Sequence, residues 1–278
     1  MSTNKILVPT NFSHQAEIAF RQSVYFSLKT NSELYLLHVI PKGKKNDELS
    51  SDNHIELVQK KLDKYITEAR KNGVENIFYR IECGKVFPQV LESEKFLLPD
   101  FIFLGTDVSK SEISSITLRL IDNVNCPIVI FRGRFNNIGC ANIVLPLDLT
   151  KETKQKIALT TDLAKIYGST VHIVSVTSFS DGKEYSELEK QIEQVEAVFV
   201  KEKINCTIKL IKTKNDVEIM ANAINDYADD INSDLIIIMT RQEKKIQKFF
   251  VGSMATKLIK KANAPILCVS PKTAEIKN

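Results

Sequence analysis

The segment "KILVPTNFS", Lys5 to Ser13, returns as "NIVLPLDLT", Asn142 to Thr150, at an offset of 137 residues (142 minus 5). Pro9 then stands opposite Pro146, and Asn11 opposite Asp148. A chain that repeats itself over this distance is two copies of one folding unit, so any fold proposed for it has to be built twice. The same offset carries "LYLLHVI" (Leu34 to Ile40) onto "VHIVSVT" (Val171 to Thr177), both rich in the aliphatic and β-branched residues that suit strands.

Helix-like stretches separate these strands. Each opening strand runs into a residue that can cap a helix, Ser13 or Thr150, whose hydroxyl accepts a free backbone N–H of the next turn. In the first helix of each copy, Phe20, Val24 and Ser27 align with Ile157, Thr161 and Ala164, one face of small or apolar character. Ile55, Val58, Leu62, Tyr65 and Ala69 then recur at steps of three and four, as do Tyr185, Leu188, Ile192, Val195 and Phe199. The pattern continues through strand ("IFYRI"; "CTIKLI"), helix (Val86 to Phe96; Val217 to Ala228), strand ("DFIFLG"; "DLIIIMT"), helix and last strand ("CPIVIF"; "APILCV").

Strands joined by helix-length crossovers run parallel, and near-continuous apolar runs suit burial on both faces. The expected fold class is α/β: two tandem doubly wound, Rossmann-like domains, each with a five-stranded parallel sheet. "RGRFNNIG", Arg132 to Gly139, has the glycine and asparagine content of a short connection, which sets the domains at 1–138 and 139–278.

A chain of 278 residues with 43% hydrophobic content can bury two such cores. A net charge of +4, with no basic arm, speaks against a nucleic-acid partner. The five cysteines, Cys83, Cys126, Cys140, Cys206 and Cys268, lie far apart without metal-ligand spacing and read as reduced, mostly buried thiols. "MSTN" passes straight into "KILVP" without a basic leader and long apolar core, and no apolar run approaches the ~18 residues of a membrane span. The expectation is a soluble cytoplasmic protein with no membrane partner.

Open α/β sheets hold ligands beyond the carboxyl ends of their strands, where helix amino termini offer free N–H groups to anions. Three junctions per copy qualify: Thr10-Asn11 and Leu147-Asp148, Val39-Ile40 and Val176-Thr177, and the loop after the fourth strand. In the second copy that loop is "RQEKKIQKFFVGSMA", Arg241 to Ala255.

The "ILVP" opening, the "LLHVI" second strand, the "DLIIIMT" fourth strand and the Gly-Ser helix followed by "NAPILCV", in this order and over essentially the whole chain, resemble the universal stress protein family in its tandem two-domain form. The resemblance implies a cytoplasmic stress-response protein. In nucleotide-binding members ATP is held by the pattern G-x2-G-x9-G-[ST] after the fourth strand. Glycines there let the backbone curl close to phosphates, and the final pair places N–H groups and a hydroxyl at a helix amino terminus.

In the second copy the spacing survives with Met239 and Gln242 at the first two glycine positions and Gly252-Ser253 at the end. A Met side chain is expected to project where the backbone should approach the phosphates. The first copy keeps Gly105, has Val108 at the second position, and reaches Ser114-Ser115 after a loop four residues shorter. Asn11 replaces the acidic residue that ATP-binding relatives often carry after the first strand, whereas Asp148 retains it. The resemblance thus marks Asp148, Val176, Met239, Gln242, Gly252 and Ser253 as the better candidate site, and Gly105, Ser114 and Ser115 as the poorer one.

Gly252-Ser253 carries two readings: a phosphate seat, or a helix start in which Ser caps the turn and Gly permits close packing. The second suits a loop that has lost two glycines. Arg241, Lys244, Lys245 and Lys248 read as a solvated loop interrupted by Glu243. His14, His38, His54 and His172 form no catalytic or metal spacing; His38 reads as a hydrogen-bonded structural residue, and Cys126 and Cys268 as small core hydrophobes.

No candidate base adjoins a nucleophile, so no enzyme is expected. The leading reading is a non-enzymatic stress or regulatory module acting through protein contacts, with degenerate nucleotide binding. The alternative is an ATP, nucleotide or anion binder, with Mg2+ as the companion of ATP and slow ATPase activity, using the second cleft. In the family the last strand pairs with its counterpart in a second domain. Here "PIVIF" and "PILCV" are expected to pair within one chain, with homodimerisation and protein partners as further contacts.

Overall fold

The computed structural model describes residues 4–41, 51–106, 113–132, 137–147, 153–178, 181–240 and 253–270. Copy 1 runs β1 (Lys5–Pro9), α1 (His14–Thr30), β2 (Glu33–Ile40), α2 (Ser51–Lys71), β3 (Ile77–Cys83), α3 (Val86–Leu97), β4 (Phe101–Gly105), α4 (Ser115–Asn123) and β5 (Ile128–Phe131). Copy 2 repeats the order as β6 (Asn142–Leu147), α5 (Thr153–Tyr167), β7 (Thr170–Thr177), α6 (Gly182–Lys201), β8 (Cys206–Lys212), α7 (Val217–Asp230), β9 (Leu235–Met239), α8 (Ser253–Lys261) and β10 (Ile266–Val269).

All ten strands join one sheet, ordered β3-β2-β1-β4-β5-β10-β9-β6-β7-β8. Pairing is parallel within each copy and antiparallel only at the centre, where β10 meets β5 with Leu267 opposite Val129. The two copies are therefore related by an approximate two-fold axis near that pair, and the expected joining of last strands occurs within the chain.

Strand alternation distributes side chains to two cores. Ile6 and Val8 face one core, with residues of α1, α2, α5 and α6. Leu7 faces the other, with residues of α3, α4, α7 and α8. Both cores run across the junction of the copies. The helix periods read from the sequence are the buried ones: Val58, Leu62 and Ala69 in α2, and Leu188, Ile192, Val195 and Phe199 in α6.

One expectation needs correction. Burial on both faces holds for the inner strands but not for β3 and β8, where Phe78, Tyr79 and Ile208 are exposed. These strands are the outer edges of the sheet, a position set by strand order, which composition does not encode.

Candidate functional site

The carboxyl ends of β1, β2 and β4 form the copy 1 cleft. Ser13 caps α1 by accepting the Ala16 N–H, as expected. Before it, Asn11 Oδ1 accepts the Ser13 N–H at 3.0 Å and Thr10 Oγ1 accepts the Phe12 N–H at 3.1 Å. These bonds hold Phe12 at φ 58, left-handed backbone that a bulky residue rarely adopts. Its ring stacks on His38 at 4.8 Å, with Tyr65 edge-on at 5.8 Å.

His38 Nδ1 pairs with the Thr10 carbonyl at 2.8 Å. Burial holds its pKa below the usual imidazole value, partly offset by that bond and reinforced by the charges of His54 and Lys61. At the aligned position in copy 2, the Ser175 hydroxyl donates to the Leu147 carbonyl at 2.9 Å. A side chain of the second strand thus ties down the end of the first strand in both copies, through different chemistry.

Register makes Gly105 and Met239 equivalent: Gly105 pairs with Phe131 on β5, and Met239 with Val269 on β10. Any β-carbon at Gly105 would overlap the backbone of Gln15 and Ala16 in the first turn of α1. The glycine is needed for that close approach. Met239 is partly buried and packs into the core shared with α5 and α6. Its side chain therefore points to the α5 side of the sheet, into that core.

The loops after these positions differ in length. Nine residues separate Gly105 from Ser115 (115 − 105 − 1), and thirteen separate Met239 from Ser253 (253 − 239 − 1). In copy 1 the short loop ends on Ser114, the N-cap of α4, whose hydroxyl accepts the Thr117 N–H at 3.1 Å. Thr117 Oγ1 also lies 3.2 Å from Ser114 Oγ and 3.1 Å from Thr106 Oγ1. These hydroxyls close a chain between the end of β4 and the start of α4. Ser115 is exposed beside them.

In copy 2 the candidates divide. Asp148, Gln242, Gly252, the cap Thr150 and the loop lysines lie outside the described residues. Val176 is half-buried at the end of β7 and packs on the α7 and α8 side, where the exposed Ser253 opens α8. Met239 sits on the opposite face of the sheet, so Val176 and Ser253 share a side that Met239 does not.

Lys156, which the sequence reading passed over, belongs to this cleft. It is 6% exposed, and its ammonium donates to the Pro146 carbonyl near the end of β6 at 2.5 Å. Its counterpart in copy 1 under the 137-residue offset is Ala19. A lysine opposite an alanine on a buried helix face was the available signal. It places an ammonium at a helix position where copy 1 has alanine, and a cation at this end of the sheet favours anions.

Comparison with known proteins agrees with this architecture. The sequence profile of the Universal stress protein family matches residues 2–132 and again residues 140–270. The chain belongs to the universal stress protein family. Among its relatives, Universal stress protein MJ0577 of Methanocaldococcus jannaschii is 28% identical over 154 residues, 47% of this chain and 95% of that one. A universal stress protein from Archaeoglobus fulgidus has the same fold at a TM-score of 0.76, with 17% identity and 96% of each chain covered. A putative universal stress protein from Pseudomonas aeruginosa follows at 0.69, with 13% identity over 99% of this chain and 96% of that chain. The universal stress protein described here therefore carries two family units in one continuous sheet, with unlike clefts. Among its described residues, no helix is long and apolar enough to cross a membrane, and no group of three or more His, Cys, Asp or Glu side chains could hold a metal.

Proposed function

We propose that this universal stress protein is a cytoplasmic, non-enzymatic stress-response or regulatory module that works through protein contacts. Nucleotide binding is lost in copy 1 and reduced to weak binding in copy 2. The observation that carries this reading is the hydroxyl chain Thr106–Thr117–Ser114. A phosphate at a helix amino terminus needs free N–H donors, and in copy 1 Ser114 already accepts one of them. The loop that would wrap a nucleotide is also four residues shorter than its partner.

A second reading rests on copy 2. The residue aligned with Ser114 is Gly252, which has no side chain to cap α8, and Lys156 adds a buried cation at the end of β6. These features favour an anion, with ATP and Mg2+ as the candidate ligands and Asp148, Gly252 and Ser253 as their seat.

Thermal unfolding with ATP, with and without Mg2+, separates the two. A site with Kd of about 1 mM adds only about 0.4 kcal/mol at 1 mM ligand, so the first reading expects a nearly flat titration. A saturable rise that disappears in Ser253→Ala would establish the second, and release of ADP would extend it to hydrolysis. Mass spectrometry of small molecules retained through purification checks the same point without assuming the ligand.

A further inference from the structure

Because β5 and β10 run antiparallel, the amino-terminal ends of copy 1 strands lie beside the carboxyl ends of copy 2 strands. At this junction a groove of about 300 Å³ opens between the α3 to β4 turn and α5. Phe101, Leu159 and Val269 give it apolar walls, and Glu94 and Gln155 contribute polar groups. It continues past Asp100 and Asp162 into an adjoining hollow of about 390 Å³.

Glu94 is 3% exposed. Its Oε1 accepts the Asn125 N–H at 3.1 Å, while its Oε2 is enclosed and has no partner. Gln155 Oε1, also enclosed, has none either. Both atoms are acceptors, and a buried carboxylate oxygen left unpaired is costly. Asp100 Oδ2 accepts the Lys5 N–H at 3.0 Å, and Asp162 adds a further carboxylate at the rim. Lys165, in the adjoining hollow, has its ammonium on Glu202 at 2.5 Å. The carboxylates are not gathered as metal ligands are.

The two-fold related side shows what such a place holds. There Gln22 stands for Leu159 (22 + 137), and Asn225 for Glu94, as Val217 stands for Val86. The connection between the copies supplies the donors. Asp234 accepts Asn137 Nδ2 at 3.1 Å and the N–H groups of Ala141 and Asn142 at 2.8 and 2.9 Å, and Gln22 Oε1 accepts the Gly139 N–H at 3.3 Å. Those donors are neutral and go to Asp234 and Gln22, while Asn225 Oδ1, like Glu94 Oε2, is enclosed and has no partner. On the open side the acceptor left without a partner is a carboxylate oxygen, which a charged donor suits best.

We propose that this groove binds a small organic cation, a primary ammonium or guanidinium on a short apolar body. The charged head lies against Glu94 and Gln155, whose oxygens turn slightly into the groove to accept it, and the body packs against Phe101, Leu159 and Val269. A volume of about 300 Å³ with apolar walls and few polar groups is the ordinary form of a small-ligand site.

Calorimetric titration of the full chain with phenethylammonium and with agmatine tests this, with 2-phenylethanol as the neutral control. Saturable heat for at least one cation and none for the alcohol is expected. Glu94→Gln should weaken binding at least tenfold, and Ala158→Phe, which narrows the groove from its α5 wall, should abolish it in a chain that keeps its circular dichroism. Glu189→Gln, on an exposed helix face, should bind as the parent does. No saturable heat with either cation, equal heat from the alcohol, or undiminished binding by Ala158→Phe would each overturn the proposal. So would affinity confined to basic peptides.

Discussion

The backbone of Gly105 lies so close to that of Ala16 that no side chain fits between β4 and the start of α1. Its φ is not among the positive ones, so any reason for glycine here is contact rather than backbone freedom.

Gly105→Ala should therefore destabilise the chain by about 3 kcal/mol, since the clashing atoms belong to backbone that cannot rotate away. At the equivalent place in copy 2, Met239→Gly should also destabilise, by about 2 kcal/mol, because there the core has closed around a side chain. Urea denaturation of the two variants checks both values. A neutral Gly105→Ala would show that the first turn of α1 can move away from β4.

Ser114→Ala should cost about 1 kcal/mol and Ser114→Gly only a few tenths, the difference expected when a hydroxyl caps a helix. Equal losses in the two variants would mean that the bond to the Thr117 N–H contributes little.

Stability should depend on pH through two kinds of group. The folded pKa of His38 and of His172 lies below the ordinary 6.5, in each case chiefly because of burial. The unfolded chain then binds more protons over the interval between the two values. Their contribution is whole above about pH 6.5 and is lost as pH falls through 6.5 toward the folded value. Glu218, bonded to Lys257 and Lys261 of α8, is held down to about 2 from 4.5. Its contribution is present above pH 4.5 and lost as pH falls toward 2. Melting temperatures across pH 2 to 8 should show both limbs, with Glu218→Gln flattening the acid one and His38→Asn the neutral one.

Arg132, 8% exposed at the end of β5, donates to the Lys260 carbonyl of α8 at 2.9 Å. A cation of copy 1 thus sits at the carboxyl end of a copy 2 helix, where the dipole favours it. Arg132→Ala should lower stability by about 2 kcal/mol while leaving one cooperative transition. Two separate transitions in calorimetry would show that this contact helps to couple the halves.

Repetition made most of the architecture readable from the chain. Pro9 against Pro146, and "PIVIF" against "PILCV", fixed the units and the central pair, because parallel crossovers and bare strand edges leave few alternatives. Strand order was not readable, so the exposure of Phe78 and Ile208 was missed. The clefts were harder still. Whether Met239 turns toward α5 or α8 depends on the face its strand position presents, and a spacing pattern contains no faces. Lys156 left one trace in the sequence, a lysine opposite Ala19, and took on meaning when a helix set it beside the Pro146 carbonyl; Glu94 became visible only when the fold left one of its oxygens without a partner.

The β5 to β10 pair also sets a schedule for synthesis. Ile128–Phe131, four apolar residues in a row, form a finished strand edge whose partner is encoded 138 residues later (269 − 131). At ribosomal speeds of about 5–20 residues per second, that edge waits roughly 7–28 seconds before β10 emerges. For that interval the nascent chain presents the unpaired apolar edge that the finished sheet has hidden at its centre, open to any other strand that arrives first.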